Sequence, residues 1–189
     1  YSLRPEEFEE KVGKKLAGVN SYLAIPYPGQ NGFRRFKLFP ALIETDGKTR
    51  KYYQLPSTGN HLYALPVASE SIKDLSCPLF VVEGEKKTAL LTQLGKACIG
   101  LGGIWNWING DTHQPLLDFD WVVWKGRITY LVPDSDFVVN DSIALAVYRL
   151  GRELERRGAV VRILKIPVLQ GLEKTGIDDY LTSKTPPGK

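Results

Sequence analysis

Glu83 closes the apolar run Leu79-Phe80-Val81-Val82, and Asp134 and Asp136 follow the run Ile128-Thr129-Tyr130-Leu131-Val132-Pro133. Each run reads as a buried strand that delivers carboxylates to its carboxyl end. In a parallel sheet both ends meet at one edge, where hard oxygen ligands can hold a divalent cation. That chemistry serves phosphate groups on nucleotides or nucleic acid. Asp134 and Asp136 share a face if the strand continues, because side chains alternate with period two. The segment Pro133-Asp134-Ser135-Asp136 is equally good turn or capping chemistry. A carboxylate at Glu83 must be paired, metal-bound or exposed at the strand tip.

Gly84 lets the chain turn sharply or approach a ligand closely. Glu85, Lys86 and Lys87 then occupy the first turn of a helix. Glu85 suits the positive end of the helix dipole and the lysines do not. Lysines in that place either face phosphate or are simply solvated. A second charged region lies between Phe33 and Tyr53, where Arg34, Arg35, Lys37, Arg50 and Lys51 alternate with Phe36 and Tyr52. Cations interleaved with aromatics are a pattern for single-stranded nucleic acid. An amphipathic hairpin with its charges in water has the same pattern.

The elements that must position these residues follow from periodicity and turn signals. Phe8, Val12 and Leu16 predict a helix over 3–18. Asp46-Gly47 predicts a hairpin between Ile43 and Tyr52. From Pro78 onward strands alternate with helices: strand 79–83, helix 85–94, strand 97–101, strand 128–133, helix 142–157 and strand 160–164. Asp141 or Ser142 is the expected cap of the long helix. This order predicts an α/β fold with a mainly parallel sheet flanked by helices. The expected division is a basic, mostly β N-terminal subdomain at 1–75, an α/β domain at 76–184, and a tail at 185–189. Trp105, Trp107, Trp121 and Trp124 are expected in core or interdomain packing.

Composition sets bounds on the remainder. An apolar share of 43% in 189 residues supports a sizeable core, and a net charge of +4 permits an anionic partner. No run approaches the roughly 18 apolar residues of a membrane helix. Cys77 and Cys98 lack zinc-site spacing and are expected as two buried free thiols. There is no G-x-x-x-x-G-K-[ST] loop and no G-x-S-x-G elbow, which argues against an NTPase motor and against acyl transfer. With no Met anywhere and Tyr1 first, the chain is expected to be an excised piece of a longer protein.

Together the motifs resemble the TOPRIM domain of bacterial primases, topoisomerases and several nucleases. There a strand-end Glu precedes a Gly, and a D-x-D follows a later strand. Here these are Glu83-Gly84 and Asp134-Ser135-Asp136. The closer similarity is to the primase-like TOPRIM domain of plasmid, phage and other mobile-element replication proteins, long catalogued as a domain of unknown function. It rests on Val82-Glu83-Gly84-Glu85-Lys86-Lys87, Gly100-Leu101-Gly102-Gly103-Ile104-Trp105-Asn106-Trp107, Pro133-Asp134-Ser135-Asp136 and Gly176-Ile177-Asp178-Asp179-Tyr180-Leu181. The segment Arg50-Lys51-Tyr52-Tyr53-Gln54-Leu55-Pro56-Ser57-Thr58 is similar to one preceding that domain in bacterial primases.

The resemblance implies a Rossmann-like TOPRIM fold and Mg2+-dependent (or Mn2+-dependent) synthesis of RNA primers on single-stranded DNA. Asp134 and Asp136 would hold the metal, and Glu83 would be a further ligand or a general acid/base. Asp178 and Asp179 would complete the metal site. Glu85, Lys86 and Lys87 would lie at the nucleotide, and Arg34, Arg35, Lys37, Arg50 and Lys51 along the template. Nucleoside triphosphates and a helicase or other replication domain in the same longer chain are the expected partners, in the cytoplasm and not at a membrane. Two alternatives remain: a non-catalytic nucleotide- or nucleic-acid-binding module, and a metal-dependent nuclease. The sequence departs from primases at Lys87, where they usually carry an acid. It departs again at Ser135, where they favour Gly, and at Val138-Val139, where they favour Ala-Gly.

Overall fold

The structure is a computed structural model that describes residues 1–184, so the expected tail at 185–189 lies outside the described residues. The chain divides into two compact units, Tyr1–Gly59 and the remainder from Asn60. This division precedes the expected one at 75/76. The reason is burial: Leu62, Ala68 and Ile72 belong to the core of the second unit, and Tyr63 forms an antiparallel bridge to Gly100.

The first unit is an antiparallel sheet in the order β1 (Ser2–Leu3), β2 (Ser21–Pro26), β3 (Arg34–Ile43), β4 (Thr49–Gln54), with α1 (Pro5–Val12). Period two sorts its side chains. Tyr22, Ala24, Phe36, Leu38 and Tyr53 form one core with Phe8 of α1, whose ring stacks on Tyr22 at 3.8 Å. The helix is shorter than the expected 3–18. Gly13 takes φ +68° and donates its N–H to the Glu9 carbonyl at 2.7 Å, which ends the helix in a left-handed turn. Leu16 is buried from beyond the helix end. Asp46-Gly47 does make the β3–β4 turn, with Glu44 N–H donating to the Lys48 carbonyl at 2.8 Å.

The second unit contains α2 (Ser69–Lys73), β5 (Leu79–Glu83), α3 (Glu85–Gln93), β6 (Ala97–Leu101), β7 (Ile128–Val132), α4 (Asp141–Arg156), β8 (Val160–Ile163) and α5 (Ile177–Lys184). The four strands are parallel in the order β6-β5-β7-β8. Both faces of β5, β6 and β7 are covered, which is why these strands read as continuous apolar runs, whereas the edge strand β8 is largely exposed. On one face Val81, Ile99 and Leu131 pack with Ile72 of α2 and with Val147, Leu150 and Leu154 of α4. On the other, Val82, Cys98 and Val132 pack with Leu91 of α3 and Ile177 of α5. The helix after β5 and the helix after β7 therefore lie on opposite faces, and the chain leaves these neighbouring strands in opposite directions. Such a reversal opens a crevice at the carboxyl ends of the two strands.

Asn140, rather than the expected Asp141 or Ser142, caps α4. Its side-chain oxygen accepts the N–H groups of Ser142 (3.1 Å) and Ile143 (3.2 Å). Arg127 is fully buried, and its guanidinium donates to the carbonyls of Ser71 (2.7 Å), Cys77 (3.0 Å) and Ile72. These carbonyls come from the end of α2 and the loop behind it, so Arg127 is a structural tie. Trp107 and Trp124 are in the core, Trp105 is half-buried, and Trp121 is 47% exposed at the end of a 3-10 turn. Among the described residues, no helix is long and apolar enough to cross a membrane.

Candidate functional site

Glu83 is the last residue of β5, and Asp134 follows the end of β7 by Pro133. Val82 of β5 is in register with Val132 of β7, so the two acidic clusters arrive side by side at the crevice. Gly84 then redirects the chain. Its φ of 100° and ψ of 151° lie in a region essentially reserved for glycine. Its N–H donates to the Leu101 carbonyl at 2.7 Å, and its own carbonyl accepts the Thr88 hydroxyl at 3.0 Å. Gly100 admits this close approach, because a Cβ there would lie 2.1 Å from Thr88 Oγ1. The turn sets the start of α3, and with it Lys86 and Lys87, at the mouth of the crevice.

A charge network results. Lys87 Nζ donates to Asp134 Oδ1 in a short ion pair whose side chains are 13% and 8% exposed. Lys174 Nζ lies 3.3 Å from Asp134 Oδ2 and 3.4 Å from Asp136 Oδ2. Lys86 Nζ lies 3.7 Å from Asp178 Oδ2. Asp136 Oδ1 and Asp178 Oδ1 are buried without a hydrogen-bond partner. Burial raises the pKa of Glu83, and the neighbouring Asp134 and Asp136 raise it further, against the opposing pull of Lys87 and Lys174. Burial lowers the pKa of Lys174, but Asp134, Asp136 and Glu83 outweigh that and hold it above its ordinary value.

Asp178 and Asp179 divide their work. Asp178 faces Lys86, and its Oδ1 and the Cε of Lys87 would each lie 2.5 Å from a Cβ at Gly176. Asp179 instead accepts the Gly176 N–H at 2.8 Å, closing the turn into α5. Glu85 is 3% exposed at the first position of α3, and its charge helps raise the pKa of the Tyr63 hydroxyl, an effect led by burial. It is drawn into the fold rather than offered at the strand ends.

The residues expected along a template all lie in the first unit, on two sides of its sheet. Arg35 and Lys37 alternate with the core residues Phe36 and Leu38. The Arg35 guanidinium lies 4.8 Å from the Tyr52 ring centroid, and Lys37 lies 5.0 Å from that of Phe39. Arg34 donates to the Gly32 carbonyl (3.2 Å) and to the Tyr1 hydroxyl (3.0 Å). Arg50 pairs with Glu44 at 2.5 Å, and Lys51 is exposed.

Sequence reasoning missed Lys174 and Thr175, and marked Ser135 only as a departure from the primase pattern. Ser135 N–H donates to the Thr175 carbonyl at 2.9 Å, and Thr175 N–H donates to Ser135 Oγ at 2.8 Å. This clamp explains why a serine stands between the aspartates, since glycine would supply no oxygen for the fully buried Thr175. The only local hint of Lys174 is its place just before Thr175-Gly176 and the late acidic pair.

Asp134, Asp136 and Glu83 are hard oxygen donors, and the partnerless Oδ1 of Asp136 fits a cation such as Mg2+ or Mn2+. Among the described residues, no three acidic, imidazole or thiol side chains converge into a cage that would hold a metal alone. The donor set therefore suits a cation that keeps water and phosphate oxygens as its other ligands. The family model described as Domain of unknown function (DUF3854) matches residues 69–187. No curated protein and no solved structure matches the chain. With its entire parallel sheet inside the matched segment, the chain belongs to the DUF3854 family.

Proposed function

We propose that the chain is a TOPRIM-like, primase-like core of a mobile-element replication protein that joins ribonucleotides on a single-stranded DNA template. One observation carries this reading: Glu83 and the Asp134–Asp136 pair stand at neighbouring parallel strand ends, where the chain direction reverses. Asp134 and Asp136 would hold Mg2+ or Mn2+, with Glu83 either a further ligand or a general acid/base. A bound cation of that kind neutralises charge developing on the phosphate oxygens during phosphoryl transfer. The chain's own residues supply the other roles. Lys86 meets the triphosphate, while Lys87, also expected there, is held on Asp134 as its counter-ion. As a general acid/base instead of a ligand, Glu83, its pKa raised chiefly by burial, takes and returns a proton at the strand end. Arg34, Arg35, Lys37, Arg50 and Lys51 contact the template backbone, and a helicase or other replication domain of a longer cytoplasmic chain supplies single strands.

The test is template-directed primer synthesis with Mg2+ or Mn2+, comparing wild type with Asp134→Ala plus Asp136→Ala. The expected result is loss of product by about a hundredfold or more in the variant. Equal product from both proteins removes the reading. A second reading, a phosphate-binding module without catalysis, is favoured by the buried Lys87–Asp134 pair. Wild-type protein that binds triphosphate but makes no primer supports it. Cleavage of DNA without nucleotides points to the nuclease.

A further inference from the structure

Asp134 is 6% exposed, and both its oxygens are engaged by ammonium groups: Lys87 on Oδ1 and Lys174 on Oδ2. The two lysines are held very differently. Lys87 rises from the first turn of α3, and its Cε crowds the Gly176 backbone. That Cε occupies the space a Cβ at Gly176 would need, and with its side chain 13% exposed Lys87 is a buried counter-ion. The Lys174 side chain is 48% exposed, so its end can swing into water. Its backbone is restrained, because Ser135 bonds the adjacent Thr175 through both N–H groups. The clamp originates between the two aspartates that Lys174 spans. Lys174 is therefore delivered by the Ser135–Thr175 hydrogen bonds and retained by its ion pairs with Asp134 and Asp136.

An ammonium group and a divalent cation compete for the same carboxylate oxygens. With Lys174 in place, Asp136 Oδ1 is the oxygen of the pair left without a partner. A polyphosphate offers the ammonium a stronger set of charge-assisted acceptors. We infer that Lys174 is a charge gate on the Asp134–Asp136 pair. Its ammonium keeps a divalent cation weakly bound until a polyphosphate draws it away, so cation and polyphosphate bind as a coupled pair. The coupling is reciprocal: polyphosphate raises the affinity for the cation by the same factor by which the cation raises the affinity for polyphosphate. The inference rests on the proposed function for the class of ligand, a nucleoside triphosphate, and on the geometry for the coupling.

The experiment uses the full chain and reads binding rather than turnover. Mn2+ is titrated without phosphate, and free Mn2+ is followed by electron paramagnetic resonance. Tripolyphosphate is titrated calorimetrically in EDTA. Lys174→Met is expected to bind Mn2+ about tenfold tighter than wild type, and tripolyphosphate about tenfold more weakly. Lys174→Arg keeps the charge and is expected to stay near wild type in both titrations. Ser135→Gly, which frees the backbone carrying Lys174, is expected to move both affinities in the Lys174→Met direction by less. Thermal unfolding of each variant confirms that it is folded, and the exposure of Lys174 makes its variants the safe ones. Unchanged or weaker Mn2+ binding in Lys174→Met overturns the gate, and so does unchanged tripolyphosphate binding. If wild type makes no primers while both shifts appear, the gate stands and the polymerase reading falls. If wild type makes primers and the shifts do not appear, the gate falls and the polymerase reading stands.

Discussion

Ser135 and Thr175 hold each other by two hydrogen bonds, at 2.9 and 2.8 Å, that join the turn after β7 to the loop before α5. Thr175 has no solvent exposure, so water cannot replace a lost partner. Ser135→Ala removes the oxygen that accepts Thr175 N–H and leaves that group unsatisfied. The expected loss of stability is about 1–3 kcal/mol. Urea denaturation measures it, and a change near zero would show that the clamp is dispensable.

The Lys87–Asp134 pair predicts strong non-additivity. Both side chains are largely buried, so removing either one strands its partner's charge. Lys87→Met alone is expected to destabilise by about 3–5 kcal/mol, and Lys87→Met with Asp134→Leu by much less. A double-mutant cycle in urea checks this. Simple addition of the two single effects would show that the ammonium and the carboxylate do not depend on each other.

Glu83 predicts a pH dependence of stability. Its folded-state pKa is raised, chiefly by burial and then by Asp134. The folded protein therefore binds its proton more tightly than the unfolded chain does. The stabilisation from that proton is complete below the ordinary glutamate pKa of about 4.3, and it is lost as pH rises through the higher folded value. Glu83→Gln keeps a neutral side chain at every pH. The variant should match wild type in acid and become progressively more stable relative to it as pH rises. Calorimetric melting across that range gives the comparison. A gap that is constant with pH would mean that Glu83 titrates alike in both states.

Much of the architecture is legible in the chain itself. The runs at 79–83, 97–101 and 128–132 are apolar at nearly every step because helices cover both sheet faces, and their ends are sharp because glycine or proline follows. Gly47 and Gly95 mark their turns for the same local reason, with φ of 81° and 72°. Errors arose where a local signal had a nearby competitor. The Phe8-Val12-Leu16 stripe promised a longer helix, but Gly13 ended it while Leu16 still reached the core. Asn140 took the cap expected of its neighbours because its side chain reaches two free N–H groups at once.

The acidic strand ends at Glu83, Asp134 and Asp136 were legible in the sequence alone, since a carboxylate that closes or follows a buried apolar run marks the end of that strand. What surrounds them was decided by the tertiary structure. Strand order brings β5 beside β7. The turn at Gly84 lowers Lys87 onto Asp134, and the Ser135–Thr175 clamp carries Lys174 across from the last loop. Periodicity, capping and turn chemistry act over a few residues and leave their mark in the chain. Ion pairs between distant segments depend on which strands become neighbours, and no spacing along the chain records that.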